Sequence, residues 1–389
     1  MALSITQTPA LVSLAQSPII FTLAESTPVY TSSSFQYVGE LFYWTGSLTN
    51  SSSAANYTIT KYPNTQNVGI FDLNRIINST LTSLAIANTS NVEFFAVDFY
   101  YQWLSGSIYV TGSHTRSSTY KALDGYGVFQ EAIGAPIYSS SIYWPLMTDG
   151  PATQSAFIDN TGMAGVYWDD DGETSNLVSK IVYNSNLGTA NYNVTGSTST
   201  SGQIAQYPIG PAQSGFPLST TGLEWFSVQP YYYSTANGAP IRYNIDCIQK
   251  YPNVRIKWKN RYGQFDYFNF YMVSKESFET EKRNYQPQLG TWEGSTLSYQ
   301  NYDTGNQAYI VDSKQGLSVN SFWISQDYND ILKQLLVSDE IYWVYDEANN
   351  YVRPITIVTQ NIVFKTGVVD GLIQYQFDFQ YGQPYKLIL

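Results

Sequence analysis

Apolar residues in this chain come in short runs whose spacing is that of strands. In the first third the runs lie at residues 19–23, 35–44 and 57–62, and each is closed by Ser, Asn, Gly or Pro. Strands joined by turns leave this punctuation. Leu73, Ile76, Ile77 and Leu81 then fall on one helical face behind Asp72, which predicts a short helix with Asp72 as its cap. Strand patterns resume at 93–101 and 107–113, so residues 1–145 read as a β-sandwich plugged by that helix. Residues 136–151 read as loop. A second set of strands follows at 166–168, 177–183, 190–194, 204–207 and 223–233, with a Gly/Ser/Thr tract at 195–202. Asp171-Gly172 predicts a tight hairpin between the first two of these strands. The layout over 146–247 is that of an immunoglobulin-like sandwich.

The last region, 248–389, opens with a predicted hairpin: strand residues 254–258, a turn at 260–263, and strand residues 265–273 with one aromatic and one polar face. A tyrosine-rich face toward solvent is expected there. Ser325 precedes the clearest helix pattern, with Tyr328, Ile331, Leu332, Leu335 and Leu336 on one stripe. Strands are predicted at 341–345, 354–359, 362–366 and 372–381. In the last of these, Ile373, Tyr375, Phe377 and Phe379 share a face. The fold class is mainly all-β: tandem β-sandwich or immunoglobulin-like domains, then a C-terminal β domain with one amphipathic helix.

Composition sharpens the picture. Aromatic residues make up 16% of the 389 and Tyr alone supplies 35, whereas charged residues are 13%. Hydroxyl and amide side chains must therefore do much of the work of wetting the surface, and they favour pleated structure over helix. Thirty acidic against 19 basic residues give a net charge of -11. A surface of that sign does not attract a phosphate backbone, so no nucleic-acid partner is expected. The lone Cys247 has no intramolecular disulfide partner. No export signal and no membrane span are read. Without a leader, the sequons at Asn50, Asn56, Asn78, Asn88 and Asn193 carry little weight.

Candidate chemistry is sparse. Asp169, Asp170, Asp171 and Glu173 place four carboxylates in five residues, the best candidate for calcium, although the later ligands of a twelve-residue calcium loop are missing. No other cofactor is expected. His114, the only imidazole, has no activated nucleophile beside it in sequence, and Cys247 reads as a small core residue. Asp98, Glu131, Glu224 and Asp266 are the carboxylates from which a glycoside-hydrolysing pair could be drawn. No phosphate-binding Gly-rich loop occurs. Basic residues cluster at 250–261 and 275–283. The first cluster, with Trp258 and Tyr262, reads as a subunit contact or solvated edge rather than a single-strand nucleic-acid site.

The run Val254-Arg255-Ile256-Lys257-Trp258-Lys259-Asn260-Arg261-Tyr262-Gly263-Gln264-Phe265-Asp266-Tyr267-Phe268-Asn269-Phe270 resembles a signature of virion structural proteins of tailed bacteriophages, including crAss-like and aquatic phages. The ending is similar too: a helix, Ser338-Asp339-Glu340-Ile341-Tyr342, a strand near Pro354, and Tyr375-Gln376-Phe377-Asp378-Phe379. The resemblance covers the last region and implies a neck, ring or tail-hub component with no catalytic residues. It further implies residence in the virion after assembly in the host bacterial cytoplasm. On that reading the partners are further copies of the chain and other virion proteins. Trp258, Tyr262, Phe265, Tyr267, Tyr375 and Phe377 are the expected interface residues. A receptor- or glycan-binding fibre protein is the alternative, weakened by the lack of heptads or repeats, and a polysaccharide depolymerase is third.

Overall fold

Period-two alternation becomes strand wherever one face can be buried. In Ile20–Ala24 it buries Phe21 and Leu23, in Gln36–Thr45 it buries Tyr37 and Leu41, and in Val92–Ser105 it buries Phe95, Val97 and Phe99. The computed structural model describes residues 3–25, 34–45, 54–81, 92–127, 146–168, 180–193, 203–232, 234–247, 250–288, 290–349, 351–364, 372–383 and 385. Its architecture is all-β.

The first sandwich sets a three-stranded sheet, ordered Ser4–Gln7, Ile20–Ala24 and Val68–Asp72, against a larger one. The larger sheet runs Val12–Leu14, Tyr120–Leu123, Val92–Ser105, Gln36–Thr45 and Tyr57–Lys61, with Ile108–Thr111 and Thr115–Arg116 also paired to Val92–Ser105. Phe21, Phe71, Phe95 and Phe99 fill the space between them, Phe21 and Phe71 each 5.3 Å from Phe99. The predicted short helix is Asn74–Thr80, with Leu73 and Ile77 in the same core. Leu73 occupies the N-cap position, yet Asp72 still holds the helix start. Its carboxylate accepts from the Asn74 amide at 3.2 Å and the Ile19 amide at 3.1 Å.

The second set of strands builds a sheet ordered Thr153–Ala156, Ile241–Ile245, Trp225–Tyr232, Lys180–Ser185 and Gly188–Asn193, with Thr235–Ala236 paired to Trp225–Tyr232. A ribbon of Met163–Trp168 and Gln203–Pro208 completes it. The hairpin predicted around Asp171-Gly172 does not join its two flanking strands. Met163–Trp168 pairs with Gln203–Pro208, while Lys180–Ser185 lies in the other sheet. Val166 from the ribbon and Tyr183 from the sheet meet in one core with Tyr207 and Phe226, so these two strands belong to facing layers, and Asp171-Gly172 itself lies outside the described residues. Val12, Leu14 and Leu123 of the first sandwich cluster with Tyr167, Ile204 and Tyr262.

The chain divides into two compact units. One comprises 1–247, 258–267 and 330–338, and the other 248–257, 268–329 and 339–389. The remaining large sheet is ordered Phe265–Phe270, Val254–Lys259, Ile341–Asp346, Tyr351–Ile357, Gln376–Tyr381, Gln307–Asn320 and Lys275–Tyr285. Ile373, Tyr375, Phe377 and Phe379 are all buried, as their alternation predicts. Their strand is broken into Leu372–Ile373, paired with Ile324–Ser325, and Gln376–Tyr381. Residues 362–364 form no strand, contrary to expectation. Both edges of Gln376–Tyr381 are taken, by Gln307–Asn320 and Tyr351–Ile357, and Val363 is 78% exposed. After a 3-10 turn, Gln326–Tyr328, the predicted helix is Asn329–Val337, with Ile331, Leu332 and Leu335 buried. Ser325 stands at the N-cap of the 3-10 turn without a side-chain bond to the backbone. No helix among the described residues is long and apolar enough to cross a membrane.

Candidate interaction surface and buried polar junction

The turn at 260–263 organises a polar junction inside the first unit. Asn260 Oδ1 accepts from the amides of Tyr262 and Gln264, both at 3.0 Å, and its Nδ2 donates to the Met147 carbonyl at 2.9 Å. Such a side-chain-to-backbone turn needs a left-handed residue to close, and Gly263 supplies it at φ 75°. The Arg261 carbonyl accepts from the Tyr126 amide at 2.9 Å. Asp149 is the hub: its carboxylate lies 2.6 Å from Arg261 Nε and accepts from Tyr262 Oη at 2.8 Å and from Gln334 Nε2 at 2.6 Å. Gln334 Oε1 in turn accepts from the Arg261 amide at 3.0 Å. Lys259 Nζ meets Asp124 at 2.8 Å, both side chains only 7% exposed.

Burial dominates the ionisation of this region. Asp266 is pushed up to about 7 by desolvation, against the lowering effect of hydrogen bonds from Thr148 and Asn260, with Asp149 nearby adding to the rise. Desolvation likewise raises the Tyr262 phenol. In the second unit Lys257 is drawn down to about 8 by burial and by the neighbouring Arg255 cation, with Glu340 and Glu347 opposing. Arg255 is itself 3.6 Å from Glu347. Within the basic cluster expected at a solvated edge or subunit contact, Arg255, Lys257 and Lys259 are buried, whereas Lys250 is exposed. The strand is enclosed on both faces, Ile256 and Trp258 on one and the three cations on the other.

The predicted interface residues are likewise drawn inward. Trp258, Tyr262, Tyr375 and Phe377 are buried within the chain, and Phe265 and Tyr267 are half-buried. Tyr267 Oη is 3.4 Å from the Met163 amide, and its ring packs on the core of the second sandwich. Phe377 stacks edge-on to Phe270 at 5.6 Å, and Tyr375 donates to Asn329 at 2.8 Å. These side chains hold their own fold together, and the tyrosine-rich solvent face expected on the hairpin does not form. Asp169, Asp170, Asp171 and Glu173 lie outside the described residues, as does Glu131. Among the described residues no group of three or more His, Cys, Asp or Glu is placed to hold a metal ion. His114 is half-exposed, 3.0 Å from Asp98 and stacked on Tyr100 at 4.5 Å. Glu224 is exposed beside the strand Trp225–Tyr232, away from buried Asp266 in sequence and element. Cys247 is exposed rather than packed in a core, because it follows the end of Ile241–Ile245.

Sequence patterns missed the most exposed feature, a long ribbon in the second unit. Lys275–Tyr285 pairs with Gln307–Asn320 from Lys275↔Ser318 to Tyr285↔Gln307. Only residues 316–320 of the second strand also pair with Gln376–Tyr381. The rest is a two-stranded arm running roughly 25–30 Å beyond the sheet. It leads to a small hairpin, Thr291–Glu293 with Thr296–Ser298, turned at Gly294. Phe278, Tyr285, Trp292, Tyr299, Tyr302 and Tyr309 are all exposed along it, Trp292 by 59% and Tyr302 by 79%. One signal was available in the sequence: 275–285 carries six charged residues and only Phe278 and Tyr285 as large apolar side chains, which is how a strand with no core face reads.

No protein-family model matches the chain, and no curated protein matches it.

Proposed function

We propose that this chain is a non-catalytic structural subunit of a phage virion, a neck, ring or tail-hub component that assembles with copies of itself and with other virion proteins. One observation carries the assembly role: the arm of 278–285 and 307–315, which exposes a row of large aromatic side chains. A two-stranded ribbon is marginal in water by itself, and Tyr and Trp are the side chains that protein interfaces favour. The phage assignment draws on the resemblance in 254–270, 338–342 and 375–379. Amide hydrogen exchange on the full chain tests the role of the arm. Exchange over 278–285 and 307–315 should be fast in dilute protein and slow as concentration rises. Exchange that is fast at every concentration counts against it.

A receptor- or glycan-binding fibre protein is a second reading, favoured by Trp292, Tyr299 and Tyr302 at the far end of the arm. Exposed aromatic faces of this kind stack on sugars. Glycan-induced quenching of tryptophan fluorescence that Trp292→Ser abolishes would move the assignment to that reading.

A further inference from the structure

Lys275–Tyr285 is the last strand of its sheet, and among the described residues its outer edge has no neighbouring strand. All eleven of its residues are exposed. Such an edge accepts another strand through its free amides and carbonyls, and six charges along it decide which strand fits.

Consider a second copy of the same strand. In antiparallel pairing, residues directly opposite must both direct their backbone groups toward the partner or both away, so a residue faces one of its own parity. The pair then has a two-fold axis through one residue facing its own copy. The regular edge is limited to 275–283, because a bulge follows at Arg283/Asn284. Within it, three axis positions pair seven or more residues. An axis at Glu279 sets Glu279 against Glu279 and Lys275 against Arg283 twice, three like-charge contacts that outnumber its two Glu276 to Lys282 pairs. An axis at Thr280 sets Glu279 against Glu281 twice. An axis at Phe278 sets Lys275 against Glu281 twice, Glu276 against Thr280, Ser277 against Glu279, and Phe278 against Phe278. Only this last register has no like charges opposed and two opposite-charge pairs. Parallel pairing in register would oppose every charge to its own copy. The Phe278 ring is 51% exposed and already rests edge-on against Tyr385 at 5.3 Å, so the axis also brings an aromatic cluster from each copy together.

We propose that two copies of this chain join by antiparallel pairing of their Lys275–Tyr285 strands about a two-fold axis at Phe278, with reciprocal Lys275 to Glu281 ion pairs. This rests on the reading of the chain as an assembling subunit and specifies one of its contacts. The edge charges then have two effects: they block other registers and select this one.

The test uses the full chain with exposed Cys247 replaced by Ser. Facing Cα atoms in antiparallel strands are about 4.5–5.5 Å apart, within disulfide reach. Phe278→Cys should therefore cross-link to a dimer under mild oxidation. Thr280→Cys should not, because the two copies of residue 280 lie about 14 Å apart in this register. Independently, Glu281→Lys or Lys275→Glu alone should raise the dimer dissociation constant roughly tenfold, and the double exchange should restore it. Cross-linking at 280 rather than 278, or a double exchange no better than either single change, overturns the register. If the protein still forms oligomers in that case, the subunit reading stands and only this contact falls. A protein that stays monomeric in every variant and in its unaltered form overturns both.

Discussion

Asp266 makes the stability of the first unit depend on pH. Its folded carboxyl titrates near 7, whereas an unfolded aspartate titrates near its ordinary value of about 3.9. Below that value the group is protonated in both states. Between there and about pH 7 the unfolded chain releases its proton while the folded chain keeps it. Stability therefore falls as pH rises across this window, by at most about 1.4 kcal/mol per pH unit, and levels off above it. Asp266→Asn should match the parent protein near pH 4 and melt higher at pH 8, as thermal scans across pH would record. Glu93 is also raised to about 7, chiefly by burial, so it contributes a slope of the same sign that survives in the Asp266 variant. The Lys259–Asp124 pair makes the opposite point. Asp124→Ala would take the Asp124 carboxylate away from a buried ammonium and should destabilise the protein by about 3 kcal/mol in urea unfolding. Replacing both members with apolar residues should cost much less. Neither partnership was legible in sequence. Arg255, Lys257 and Lys259 alternate with Ile256 and Trp258, which reads as a half-solvated strand, and only acids far along the chain reveal that both faces are enclosed.

Among elements, the turn at 260–263 and the arm test different physics. Gly263 sits at φ 75°, and a side chain on it would meet the Asp124 carbonyl. Gly294, at the arm's hairpin, has φ 64° but open space around it. Gly294→Ala should therefore cost only the backbone penalty of about 1 kcal/mol, and Gly263→Ala distinctly more, measured as the shift in denaturation midpoint. Truncating the arm aromatics, as in Trp292→Ser with Tyr302→Ser, should leave the monomer's melting temperature unchanged, because those rings bury little. Loss of stability in that variant would mean that the arm is packed against its own chain. Most strands were legible because a half-buried strand writes its alternation into the sequence, as in 20–24 and 372–381. Asp171-Gly172 lies outside the described residues, and the strands on either side of it fall in different sheets, because turn chemistry does not fix which sheet receives the next strand. The arm was missed because a ribbon without a core face has no apolar alternation to read.

Across the whole molecule, the aromatics of the predicted interface are largely buried within the all-β fold, whereas those of the arm are exposed. Tyrosine and tryptophan at 258, 262, 375 and 292–309 look alike as letters, and only the sheet order separates those enclosed by neighbouring strands from those carried on a free ribbon. The net charge of -11 opposes association at long range, so contacts that hold must come from specific pairing and apolar area rather than from bulk attraction. The most direct test of an assembling subunit is the mass of the full-length chain by multi-angle light scattering across a wide concentration range, beside the Trp292→Ser/Tyr302→Ser variant. An assembling subunit should give a discrete oligomer of the unaltered chain that the variant weakens without unfolding. A monomer of the unaltered chain at every concentration would contradict it.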